Sequence, residues 1–247
     1  MAGADWQAAS LRIALFTQQA LPRTTDVFTA FAGEPPDRQE DQLKAGIRHQ
    51  VGKLDNAVLR ATISPIRVDF ILGIPRPTAE ELMGEFSLSI GELKAELAKF
   101  ERKILAWLPR WEIATTRVSL IVQARAQASS REAAYQILRD NLISVRVRPE
   151  EMRDLVFRVN WRARTGTIDE GYYNRLTTWQ ALQLMATATT GPGRPELTVQ
   201  QRDFAQVDMD INTPAERVEP LPRDKLNAIY SEFFQLAVRV AEAGEGP

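Results

Sequence analysis

Strict alternation of apolar and polar residues constrains this chain more than any other feature. It is clearest at 155–164, where one set of alternate residues is apolar and the other is mostly arginine. The apolar set is Leu155, Phe157, Val159, Trp161 and Ala163. The other set is Arg158, Asn160, Arg162 and Arg164, with Val156 as its one apolar member. Because successive side chains of a strand point to opposite faces, this pattern predicts a half-buried strand. We expect Trp161 to be buried and Arg162 to be exposed.

The same alternation recurs along the chain and predicts a largely antiparallel sheet with one wetter face. Further strands are predicted at 11–15, 59–64, 66–72, 117–127 and 202–212. Pro65 separates two of them and predicts a bent strand or an irregular hairpin. We interpret 173–186 as a strand, although its apolar spacing also fits a helix. A short strand is predicted at 26–32 and a polar helix at 37–50.

Helices are predicted where a capping pair or a proline precedes an apolar stripe. The capping pairs are Thr78 with Glu81, Ser89 with Glu92, and Ser129 with Glu132. The second pair precedes a stripe of period 3.6 that ends near Pro109, and the third precedes a helix to about Asn141. A last helix follows Pro222 and ends at Gly244. The segment 189–195, rich in glycine and proline, is predicted to be a loop.

These elements predict an α+β protein with a mostly antiparallel sheet covered by three or more amphipathic helices. We expect one domain spanning 1–247, with a possible subdivision into 1–110 and 111–247. An internal echo supports two related sheet–helix halves: the motif RVDFI at 67–71 and the motif QVDMDI at 206–211 each precede a helical region.

Composition excludes several kinds of chemistry. The chain has no cysteine, which removes disulfides, thiolate catalysis and the usual structural zinc sites. Its one histidine, His49, lies in a polar stretch without a recognisable nucleophile motif, and we expect it on the surface. No glycine-rich phosphate loop is present. We therefore assign no catalytic residue and no cofactor.

Asp208 and Asp210 are the sharpest acidic feature. Two residues apart on a strand, they point to one face, where their carboxylates could share a divalent cation. Asp69 or Glu170 could complete such a site if the fold brings one of them close. The alternative is an ion-paired or solvated sheet face, which we favour. A metal-dependent phosphoester enzyme remains the second hypothesis for function.

Arginine at alternate positions is the sharpest basic feature. Arg158, Arg162 and Arg164 project with Asn160 from one side of the predicted strand, and Arg117 and Arg125 could extend the patch. Such a surface suits phosphates, a nucleic-acid backbone or an acidic protein. If the strand carrying Asp208 and Asp210 is a neighbour, however, these charges pair internally.

We favour a non-catalytic binding or accessory protein that uses the arginine face on a protein partner. Nucleic acid is a weaker alternative, because the formal net charge is −1 and the aromatic residues point away from the arginines. The amino terminus lacks the pattern of a signal peptide, and no apolar run reaches membrane-spanning length. We expect a bacterial protein of the cytoplasm with no membrane association.

Overall fold

The computed structural model describes residues 4–21, 26–75, 87–190 and 196–245. The predicted capping pair Thr78 and Glu81 lies outside these residues, as does most of the predicted loop at 189–195. In the described part of the chain there are ten strands and four α-helices. The antiparallel sheet and the α+β class are confirmed.

The strands are β1 (Gln7–Thr17), β2 (Arg38–Gln42), β3 (Ile47–Leu54), β4 (Ala57–Ser64), β5 (Arg67–Gly73), β6 (Gly91–Glu92), β7 (Thr115–Ala128), β8 (Val156–Arg164), β9 (Tyr172–Thr190) and β10 (Glu196–Asn212). The helices are α1 (Val27–Ala32), α2 (Leu93–Trp107), α3 (Arg131–Asn141) and α4 (Leu226–Ala243).

The strands form one antiparallel sheet in the order β2-β3-β4-β5-β1-β7-β10-β9-β8, and the two-residue β6 pairs with the start of β1. β1 and β7 therefore lie side by side at the centre, and β2 and β8 lie at the two edges. The hairpin of β9 and β10 is long and pairs without a register shift from Asn174–Asn212 to Thr190–Glu196.

The hydrophobic core lies between one face of the sheet and the helices. Alternate residues of the two central strands are fully buried there: Leu11, Ile13 and Leu15 of β1, and Val118, Leu120 and Val122 of β7. The phenol of Tyr230 in α4 donates a hydrogen bond of 3.0 Å to the carbonyl oxygen of Ala14. This contact fixes the last helix over the centre of the sheet.

Two predicted elements are wrong. The segment 26–32 is a helix, because the Asp26 carboxylate accepts a hydrogen bond from the Thr29 backbone and caps it. Phe28 and Phe31 then lie on one side of the helix and are buried against the core. The segment 37–50 contains β2, a turn and the first half of β3, with Gly46 in the turn at a φ of 64°.

The two runs on either side of Pro65 form a hairpin of β4 and β5. The segment 173–186 belongs to the strand β9, as predicted. His49 lies on β3, partly exposed, and its Nδ1 is 3.1 Å from the Thr62 hydroxyl.

Candidate binding face

One face of the sheet packs against the helices and carries the core. The opposite face has none of the four described helices packed on it. Cross-strand register aligns its side chains in rows, one of which runs through Asn160, Leu176, Asp210, Ile121 and Arg12. Residues paired across an antiparallel ladder point to the same side, so each row belongs to one face. We call this surface, from β2 to β8, the open face.

Positive charge is concentrated on the open face. Eleven described cationic side chains lie on it: Arg12, Arg38, Lys53, Arg60, Arg67, Arg117, Arg125, Arg158, Arg162, Arg164 and Arg202. Five described carboxylates accompany them: Glu40, Asp69, Glu92, Asp208 and Asp210. The described part of this face has a formal charge of +6, whereas the whole chain has −1.

The predicted arginines of β8 and Asn160 all lie on the open face and are exposed. The guanidinium carbon of Arg162 lies 4.3 Å from the ring centroid of Tyr172, a cation–π contact that leaves its N–H groups available. The Asn160 amide bridges to β9: its Nδ2 donates to Asn174 at 3.2 Å and its Oδ1 accepts from the Arg175 backbone at 3.1 Å. Asn160 therefore helps to hold the edge strand against β9.

The arginines of β8 do not pair with the aspartates of β10. β9 lies between the two strands, placing Thr178 between Arg158 and Asp208 in one row. Two strand spacings separate such residues by roughly 10 Å. Among the residues that the structure describes, no ion pair joins these arginines to Asp208 or Asp210.

Asp208 and Asp210 are held by amide groups. Asp208 accepts hydrogen bonds from Gln123 at 3.0 Å and from Gln206 at 3.1 Å, and Asp210 accepts one from Asn212 at 2.9 Å. Within residues 4–21, 26–75, 87–190 and 196–245, no group of three or more acidic or histidine side chains is placed to hold a metal ion. Neither Asp69 nor Glu170 joins this pair: each is bonded to arginine elsewhere.

Arg117 and Arg125 lie on the open face, but three strands from β8. Arg125 donates to Gln206 at 2.8 Å and to Gln123 at 3.1 Å, and burial lowers the pKa of its guanidinium, against the opposing effect of Asp208. Arg117 donates to Asn212 at 3.2 Å. Both side chains are thus engaged with neighbouring strands, and the exposed part of the predicted arginine patch is confined to β8.

A second basic cluster, which was not predicted from the sequence, lies on β1 and β5. Asp69 accepts hydrogen bonds from Arg12 and Arg67, both at 3.0 Å, and Arg67 and Arg117 lie over the Phe16 ring at 4.6 and 5.3 Å. The spacing of Arg67 and Asp69 indicated a shared face, but their contact with Arg12 depends on pairing across 57 residues. The Asp69 carboxylate offsets part of the positive charge of this cluster.

The prediction that Trp161 is buried is wrong. Trp161 lies on the face opposite the arginines, as the alternation indicated, but 38% of it is exposed. β8 is an edge strand, so Trp161 has a neighbouring strand on one side only. Trp179, on the same face of β9, has strands on both sides and is completely buried.

No protein-family model matches this chain, and no curated protein matches it in sequence. None of the described helices has both the length and the apolar character that crossing a membrane requires.

Proposed function

We propose that this chain is a non-catalytic binding module that holds an acidic protein partner through Arg158, Arg162 and Arg164. The observation that carries the proposal is the exposure of these three guanidinium groups on one side of an edge strand, with the nearest aspartates of β10 two strands away. Arginine forms bidentate, charge-assisted hydrogen bonds with carboxylates, and its planar geometry suits interfaces.

A protein partner suits this surface better than a nucleic acid. Recognition of single strands uses aromatic side chains that stack on bases beside the basic groups. On β8 the aromatic residues Phe157 and Trp161 lie on the opposite face, and the Tyr172 ring beside Arg162 is already covered by that guanidinium. The chain would act as an accessory subunit in the cytoplasm.

We further infer that the molecule is one domain built of two related sheet–helix halves, 1–110 and 111–247. Each half begins with a strand and a helix, continues with a meander of antiparallel strands, and ends with a long helix. The last strand of the meander pairs with the strand that begins the half. β5 thus returns beside β1, and β10 beside β7, while the core residues of both halves form one cluster.

Affinity capture from a nuclease-treated lysate of the source cell tests the proposed function. The informative variant is Arg158→Gln/Arg162→Gln, and its matched control is Lys53→Gln/Arg60→Gln, which removes equal charge from exposed positions on β3 and β4. We expect wild type and control to retain an acidic protein, and the β8 variant to bind it at least about tenfold more weakly. One charge-assisted hydrogen bond is worth about 1.5–3 kcal/mol, enough for that difference.

Circular dichroism on the same preparations checks that both variants are folded. Equal retention by the two variants would contradict the proposal. If untreated lysate yields nucleic acid whose retention depends on Arg158 and Arg162, the nucleic-acid alternative replaces it.

A further inference from the structure

The two edges of the sheet differ in how open they are to another strand. An edge strand presents the N–H and C=O groups of every second residue to its outer side, where they can pair with a further chain. Among the described residues no strand pairs with the outer side of β8 or of β2. Natural proteins protect such edges by short strands, charged side chains, proline or bulges.

β2 has this protection and β8 lacks most of it. β2 is five residues long, exposed throughout, and carries charges of both signs in the sequence RQEDQ. β8 is nine residues long, contains no proline, and pairs with β9 from Val156 to Arg164 without a register shift. Its charges are all positive and lie on one side, so they disfavour a basic neighbouring strand but not an acidic one.

The two faces of β8 set different requirements for a neighbouring strand. On the open face, Arg158, Arg162 and Arg164 lie four and two residues apart, which is about 13 and 7 Å along a strand. Carboxylates at the same spacing on an added strand would lie directly beside them. On the other face, Trp161 exposes apolar surface that an apolar side chain of the added strand would cover.

We propose that the outer edge of β8 binds an extended acidic segment of the partner as an additional strand of the sheet. The segment alternates Asp or Glu, facing the arginines, with apolar residues, facing Trp161. Main-chain hydrogen bonds supply affinity in this mode and alternate side chains supply specificity. The inference rests on the proposed function and specifies the chemistry of the partner that the arginines hold.

The test uses a fluorescein-labelled peptide of the length of β8, nine residues, in which Glu and Val alternate. Two further peptides are N-methylated, one at every Glu and the other at every Val. In an added strand only one of these two sets of N–H groups faces β8, so only one of the two methylated peptides loses its main-chain hydrogen bonds to β8. Both peptides keep all of their side chains and charges. Fluorescence anisotropy measures binding to wild type, to Arg158→Gln/Arg162→Gln and to Lys53→Gln/Arg60→Gln.

We expect the unmethylated peptide to bind, one methylated peptide to lose at least about tenfold in affinity, and the other to keep most of it. The β8 variant should bind all three weakly, and the control variant should bind like wild type. Equal binding of the two methylated peptides would overturn strand addition. Failure of the unmethylated peptide to bind would overturn it as well. In both cases arginine-dependent capture of an acidic protein would leave the proposed function standing.

Discussion

At the scale of the residue, two tryptophans with the same sequence pattern have different environments. Trp161 and Trp179 both lie on the helix-covered side of the sheet, yet only Trp179 is fully buried, and its ring centroid lies 6.0 Å from that of Trp6. Alternation in the sequence shows which face a residue occupies. It does not show whether a strand has a neighbour on one side or on both.

Replacement of these tryptophans should therefore have unequal effects on stability. Trp179→Ala should lower the free energy of unfolding by about 3–5 kcal/mol, the usual loss for a large buried aromatic residue. Trp161→Ala should lower it by less, about 1–2 kcal/mol, because 38% of the residue is in water already. Chemical denaturation measures both. A loss near 4 kcal/mol for Trp161→Ala, within the range of a buried aromatic residue, would mean that β8 is covered on its outer side.

The aspartates of β10 give a prediction about metal. Mg²⁺ and Mn²⁺ should leave the melting temperature unchanged, because amide donors already hold both carboxylates and no third ligand is placed beside them in the described chain. Thermal denaturation with and without each ion, in wild type and in Asp208→Asn/Asp210→Asn, is the measurement. A saturable increase that the variant lacks would restore the hypothesis of a metal enzyme.

At the scale of the element, the sequence predicts most strands because their burial is regular, and fails where burial is not. Every residue of β2 is exposed, so its composition shows no alternation and resembles a solvated helix. α1 is rich in β-branched and aromatic residues that favour strands, but the Asp26 cap and two tertiary contacts together hold it as a helix. Phe31 stacks on Phe70 at 4.1 Å, and Phe28 packs against Gly52, where a Cβ would lie 2.8 Å from its ring.

Two predicted helix caps are displaced. α2 is capped by Glu92 itself, whose carboxylate accepts from the backbones of Lys94 and Ala95, and Ser89 plays no part. α3 is capped by Ser130 rather than Ser129. Several residues near each helix start have side chains that can accept a hydrogen bond. A capping pair in the sequence therefore locates the start of a helix only to within about one turn.

The adjacent serines before α3 provide a matched test of the cap. Ser130→Ala should lower the free energy of unfolding by about 1 kcal/mol, because the Ala133 backbone N–H loses its acceptor at 3.2 Å. Ser129→Ala should change it by less than about 0.5 kcal/mol. Equal losses in urea denaturation would indicate that both hydroxyls contribute to the cap.

At the scale of the whole molecule, strand order is what the sequence could not supply. The relation between Arg158 and Asp208 depends on whether their strands are adjacent, and β9 separates them. Such pairing is decided by contacts far apart in the chain, such as Ala14 with Ser119 and Asp69. Residue pattern alone therefore identified the candidate arginines and their common side, but left open whether they were neutralised.

Global stability should fall in alkaline solution because two of the buried tyrosines resist ionisation in the folded chain. Burial raises the pKa of Tyr173 to about 12 and raises the pKa of Tyr230 well above its usual value. Since tyrosines of the unfolded chain ionise near pH ~10, their stabilising effect is complete below that pH and is lost as pH rises through the folded-state values. Tyr173→Phe should make the decline between about pH 10 and 12 shallower, as urea denaturation at a series of pH values would show. An unchanged dependence of stability on pH in this variant would mean that groups other than Tyr173 cause the decline.

The concentration of positive charge on the open face has a consequence for chromatography. A formal net charge of −1 predicts little retention on a sulfonated resin at neutral pH. The resin meets one side of the molecule at a time, however, and attraction to the open face acts over about a Debye length, roughly 10 Å at 0.1 M salt. The protein should therefore adsorb to a cation exchanger at low ionic strength, oriented with its helices toward the mobile phase, and elute at modest salt.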